Sequence, residues 1–110
     1  MRTLKFIVDE QIIRQDPNCD FSNLVPGSKG YLQAYFSFSP EWNDFVKVAS
    51  FYSTMGREFE PQILKDGCTC TIPAEALERE KFKIGVVGKN NRGMRMTTNT
   101  VEVYQNGGTV

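Results

Sequence analysis

Apolar and polar residues alternate along most of this chain with a period of two, which is the repeat of strands that bury one face. The clearest run is YLQAYFSFSP, residues 31–40. Leu32, Ala34, Phe36 and Phe38 fall on one side, Gln33, Tyr35, Ser37 and Ser39 on the other, and Pro40 ends it. Residues 3–8 repeat the pattern, with Leu4, Phe6 and Val8 opposite Thr3, Lys5 and Ile7. Phe82, Ile84 and Val86 mark a further strand, and residues 94–104 close the domain, with Met94 and Met96 early and Val101 and Val103 late. In VKVASFYST, residues 46–54, the phase breaks. Val46 and Val48 face one way while Ala49 and Phe51 claim the other, which predicts a bulge or burial on both faces.

Turn-forming residues separate these runs. Residues 16–30 carry two prolines, two glycines, two asparagines and two aspartates and read as a loop, with Phe21 and Leu24-Val25 tucked against the core. Residues 58–63 alternate but contain Pro61, which places them at a sheet edge. Asp66-Gly67 then predicts a hairpin that returns through CTCTIP, with Cys68, Cys70 and Ile72 on one face. Pro73 followed by AEALEREK is the one helix-friendly window, long enough for a turn or two. Together these elements predict an all-β fold: an immunoglobulin-like antiparallel β-sandwich of about seven or eight strands with one short helical turn. At 110 residues the chain has room for one core, so a single domain is expected over residues 1–106, with residues 107–110 as a flexible C-terminal tail.

Composition narrows the function classes. Forty per cent apolar and 24% charged residues suit a globular domain that folds by itself. Thirteen cationic side chains balance thirteen anionic ones, so no overall field draws the chain to nucleic acid or an anionic membrane, and neither is an expected partner. Histidine is absent, which removes the commonest general base and the commonest transition-metal ligand together. The N-terminal apolar residues are interrupted by Lys5, Asp9 and Glu10 before a signal-peptide core accumulates, and no apolar run approaches the roughly 18 residues of a membrane span. Three cysteines, an odd number, argue against a self-contained disulfide framework and fit synthesis in a reducing cytosol.

Candidate chemistry is sparse. Cys68 and Cys70 lie two apart, so in a strand their thiols share a face at about 6.5–7 Å, near or beyond disulfide reach. A metal site would need Cys19 and a carboxylate besides. Small buried apolar cysteines are the favoured reading, and no metal or cofactor is expected. The carboxylates at Asp9-Glu10, Glu58/Glu60 and Glu75/Glu78/Glu80 sit in ordinary charged contexts, and GVVGKNNRG has the spacing of neither phosphate-binding loop. Lys83, Lys89, Arg92 and Arg95 cluster near a turn, but no aromatic residue falls between Lys83 and Arg95. No catalytic residue is expected, and the chain is not expected to be an enzyme.

The aromatics on polar-looking positions are more informative. Tyr35 falls on the outward face of the best strand, Tyr31 begins it, and Trp42 and Phe45 lie in the loop that follows. Two readings stand side by side: Trp42 and Phe45 fold back as a lid on the core, or Tyr31, Tyr35, Trp42 and Phe45 anchor a partner.

FSFSPEWNDFVKVASF and ILKDGCTCTIPAEALEREKFKIGVVG resemble the small immunoglobulin-like domains of tailed-phage structural proteins, of the type that begins upper-baseplate and fibre proteins. The shared features are a tryptophan after a strand, a strand with a lysine and an aromatic, an Ile-Pro followed by a Glu/Leu-rich turn, and a strand ending Val-x-Gly. Trp42, Lys47, Phe51, Ile72, Pro73, Leu77, Val86 and Gly88 occupy those places, over a span of residues 31–103. The resemblance implies a virion component, by assembly with other virion proteins and with a homo-oligomer as one form. Without a coiled coil or receptor-binding head in these residues, a decorating or accessory role on capsid, tail or baseplate is expected. Two alternatives remain open: a carbohydrate- or cell-surface-binding module of the same fold, and a small phage factor that binds and inhibits a host protein.

Overall fold

The computed structural model describes residues 1–106, and the expected tail at 107–110 lies outside the described residues. Nine strands form two sheets packed as a β-sandwich among the described residues. The first sheet runs in the order β2-β1-β3-β6, built from β1 (Arg2–Asp9), β2 (Ile12–Gln15), β3 (Leu32–Phe38) and β6 (Thr69–Thr71). The second contains β4 (Val46–Tyr52), β5 (Gln62–Ile63), β7 (Lys81–Lys89), β8 (Arg95–Thr97) and β9 (Val101–Tyr104), in the order β5-β4-β7 with β8 and β9 both on the far side of β7. Two 3₁₀ turns, Pro40–Trp42 and Ala74–Leu77, are the helical elements. The second lies in the window expected to be helical; the first answers to Pro40 at its start.

Most pairings are antiparallel, but β1 and β3 are parallel neighbours, Arg2 opposite Leu32 through Val8 opposite Phe38. A parallel pair needs a long connection, and β2 with residues 16–31 supplies it. That connection is held to the rim of the sandwich by Arg2, whose guanidinium donates to the carbonyls of Asp20 (2.9 Å) and Ser22 (2.7 Å). Phe21 packs edge-on against Phe6 at 5.5 Å and Leu24 is buried, while Val25 stays exposed.

The hairpin expected across Asp66-Gly67 does not form between regular strands. β5 pairs with β4 in one sheet and β6 with β3 in the other, so the chain crosses between layers at this turn. A single bridge, Lys65 to Thr69, is what remains of the hairpin. The crossing uses positive φ at both Asp66 (52°) and Gly67 (72°). Residues 58–63 do sit at an edge, but Pro61 leaves only Gln62–Ile63 paired as a strand.

The core is a line of aromatic rings between the sheets. Phe6, Phe36, Phe38, Trp42 and Phe45 follow one another at 5.3–6.0 Å between centroids, the spacing of favourable aromatic pairs. Trp42 is fully buried, and its indole N–H donates to the Glu10 carbonyl at 2.7 Å, joining the β3–β4 connection to the β1–β2 turn. Its ring leans on β7 where a side chain is missing: a Cβ on Gly88 would lie 2.9 Å from Trp42 Cζ3 and 3.2 Å from Phe45.

On one side the layers are joined by polar groups. β8 and β9 are two parts of one edge, interrupted at Thr98–Thr100 over Gly85, where a Cβ would meet the Asn99 carbonyl at 3.2 Å. The freed residues reach across to the other sheet. Asn99 Oδ1 accepts the Ile13 amide (2.8 Å), Gln11 Nε2 donates to the Thr97 carbonyl (3.1 Å), and Gln15 Nε2 to that of Glu102 (3.1 Å). At the C-terminal side Gln105 is buried and donates to the carbonyls of Leu77 and Arg79.

Gly88→Ala should destabilise the domain by about 1–3 kcal/mol, because the added methyl meets an aromatic ring that cannot withdraw from a closed core. Urea unfolding followed by the fluorescence of Trp42, the chain's single tryptophan, measures it; an unchanged midpoint would show that the Trp42–Gly88 approach is looser than described.

Candidate functional site

The four aromatics expected to anchor a partner do not form one surface. Trp42 has no exposed area and is the lid on the core, so it is withdrawn from the partner-binding set: its ring is occupied by Phe38, Phe45 and Gly88. Phe45 is half-buried and lines a cleft of about 410 Å³ with Met94, Met96 and Gln11, at the Gln11 end of the sandwich. Tyr31 is exposed at the opposite end, beside Arg2, whose amide donates to its carbonyl. Tyr35 is 37% exposed, in mid-strand on the outer face of the four-stranded sheet. The other apolar side chains on that face are paired in register with polar ones, Ile7 with Arg14 and Ser37 and Ile12 with Asp9. Lys5 and Thr69 flank Tyr35, and Gln33 bonds Thr3 at 2.8 Å.

The outer face of the five-stranded sheet is different. Phe51, Ile84, Val86 and Gly88 point inward, so the alternation of an antiparallel sheet turns Val46, Val48, Val87 and Lys89 outward. In register, Ile63, Val48, Val87 and Thr97 form one row across the sheet. Val46, Lys89 and Arg95 form the row beyond it. Ser50 and Gly85 form a row of small residues on the other side. Ile63 is 71% and Val46 64% exposed, with Val48 and Val87 half-buried between them. This resolves the phase break in residues 46–54: there is no bulge, since β4 pairs with β7 without interruption from Val46 to Tyr52, and the outward valines are left uncovered by the fold.

Charge is uneven on the same face. Lys81, Lys83, Lys89 and Arg95 all point outward from it. Of its two carboxylates, Glu58 lies opposite Tyr52 at the Lys83 end, and Glu102 is engaged: Lys81 Nζ lies 3.4 Å away, and Tyr104 donates a hydrogen bond to it at 3.0 Å. Those contacts, the Tyr104 hydroxyl first, hold the Glu102 carboxyl below its ordinary range, and the Glu102 hydrogen bond raises Lys81. Lys81 also sits over the Tyr104 ring at 5.1 Å. At the other end of the face a concavity of about 750 Å³ is lined by Asp44, Val46, Lys89, Asn90, Asn91 and Arg92.

Groups that could carry other chemistry are placed quietly. All three cysteines are free, and burial pushes the Cys70 thiol up to about 12, so it stays protonated at physiological pH. Glu58, Glu60, Glu75, Glu78 and Glu80 are exposed to solvent. Among the described residues no group of three or more cysteine, aspartate or glutamate side chains is placed to hold a metal ion, and no helix is long and apolar enough to cross a membrane. No protein-family model, curated protein or solved structure matches this chain.

Cys70 should resist iodoacetamide in the native protein at pH 8 and react fully in urea, as peptide mass spectrometry would read out. Rapid native labelling of Cys70 would contradict its burial.

Proposed function

We propose that this chain is a non-enzymatic docking domain that works by protein–protein assembly through the outer face of its five-stranded sheet. The observation that carries this reading is the contrast between its two outer faces. The four-stranded sheet breaks up its outward apolar side chains, Ile7, Ile12 and Tyr35, by pairing each in register with polar residues, whereas the five-stranded sheet offers a continuous row of Ile63, Val48 and Val87 with Val46 beside it. Uncovered apolar patches rimmed by charge mark interaction surfaces.

Size decides what kind of docking this face supports. Four neighbouring strands over the length of β4 present roughly 300–400 Å², about half of the ~800 Å² that each partner buries in a standard stable interface. Such a contact is weak when single and strong when many copies are linked in one assembly. Repetition of that kind suits an accessory or structural component of a phage particle, the setting suggested by the resemblance over residues 31–103. The eight residues behind that resemblance act mainly in packing, Trp42 on Gly88 and Phe51, Ile72, Leu77 and Val86 in the core. They support the fold more directly than the setting.

In extracts of the cells that produce it, the chain should sediment with a large assembly, and with phage particles if the virion setting holds. Val48→Asp combined with Ile63→Asp should return it to the monomer position while leaving thermal unfolding nearly unchanged, since both side chains point away from the core. A parent chain that sediments as a monomer, or a double variant that still assembles, would overturn the reading.

A further inference from the structure

From the chemistry of this same face, and resting on the docking reading above, we infer that its partner is an acidic protein segment carrying apolar side chains. Its carboxylates would meet Lys89, Arg92 and Arg95 while its apolar groups cover Val46, Val48 and Ile63. The chain as a whole is neutral, yet this face bears four cations against two carboxylates, Glu102, which is already paired with Lys81, and Glu58, which lies opposite Tyr52 at the Lys83 end and away from Lys89 and Arg95. The excess positive charge is therefore local, and it borders the apolar row on one side, where Val46 lies in register with Lys89 and Arg95. Arg92 joins Lys89 and Val46 in the lining of the concavity, where Asp44 is the single acidic residue against two cations. A carboxylate entering there would meet Lys89 and Arg92 beside the apolar side chain of Val46.

Nucleic acid fits the face less well. A polyanion backbone is tracked by a continuous cationic groove with aromatic rings free to stack on bases. Here Lys83 and Lys89 lie six residues apart on β7, roughly 20 Å, with Gly85 and Val87 between them. The most exposed ring on the face, Tyr104, is occupied by Lys81 on one side and tied to Glu102 through its hydroxyl. The apolar centre would remain uncovered by phosphates and sugars. A protein segment that alternates acidic and apolar groups satisfies both parts of the surface.

The test is an NMR titration of the isotope-labelled chain with three probes: a glutamate–tyrosine copolymer, polyglutamate, and an oligothymidylate of matched charge. The copolymer should bind roughly tenfold more tightly than either other probe, equivalent to about 1.4 kcal/mol, and should shift the amides of Val46, Val48, Ile63 and Val87. Lys89→Glu combined with Arg95→Glu should weaken it by at least about tenfold while the unperturbed resonances confirm an intact fold. Equal binding of oligothymidylate would identify a general polyanion surface, and equal binding of polyglutamate would remove the apolar component. Absence of copolymer binding, or shifts confined to the four-stranded sheet, would equally overturn the inference. If the parent chain still assembles in cells through Val48 and Ile63, such a result rejects the acidic partner and leaves the docking reading standing.

Discussion

The approach of the Trp42 ring to the backbone of Gly88 sets the geometry of the rest of the molecule. The indole has left solvent entirely, its N–H is satisfied by the Glu10 carbonyl, and its ring stands in the aromatic line that runs from Phe6 to Phe45. Only a residue without a side chain lets β7 pass this close. Because side chains alternate along a strand, holding position 88 inward leaves Val87 and Lys89 no choice but the outer face. The pairing of Gly88 with Lys47 transmits the same constraint to β4, where Lys47 turns toward the Phe38 ring and Val46 and Val48 turn out. The apolar and cationic rows of the outer face are thus consequences of how the core is packed.

A second constraint keeps that face open. The side chains that tie the two layers together at the β8–β9 edge, Gln11, Gln15 and Asn99, do so with hydrogen bonds to backbone groups and leave the outer surface of β4 and β7 untouched. The long connection of residues 16–31 is drawn to the rim beside β1 by Arg2. Nothing among the described residues folds over Ile63, Val48 and Val87, and the largest uncovered apolar row is also the row next to unbalanced positive charge.

Alternation made the sandwich legible: β1, β3 and β7 follow the expected pattern of buried Leu, Phe, Ala, Ile and Val closely. Three features were not legible. Ile12–Gln15 pairs back on β1 through a turn at Glu10-Gln11, and its outward amide at Ile13 is satisfied by Asn99, 86 residues away, a contact with no local signature. The parallel pairing of β1 with β3 depends on where a loop is pinned, which the alternation of either strand does not report. The layer crossing at Asp66-Gly67 looks locally identical to a hairpin. For the candidate site, aromatic residues drew attention to Trp42, whose size suits a core as well as an interface, and Tyr35 proved to lie apart from Tyr31 and Phe45, paired in register with Lys5 and Thr69. The usable signal was in VKVASFY, where apolar residues on both phases meant one buried face and one left bare.

The central claim, that this chain docks through the outer face of its five-stranded sheet, is tested most directly by hydroxyl-radical footprinting of the protein within the assembly it joins, against the purified chain. The account predicts that Val46, Val48, Ile63 and Tyr104 lose reactivity on assembly while Tyr31, Tyr35 and Met55, all exposed elsewhere on the surface, keep theirs. Protection of Tyr35 with continued labelling of Ile63 and Val46 would put the interface on the other sheet and contradict it.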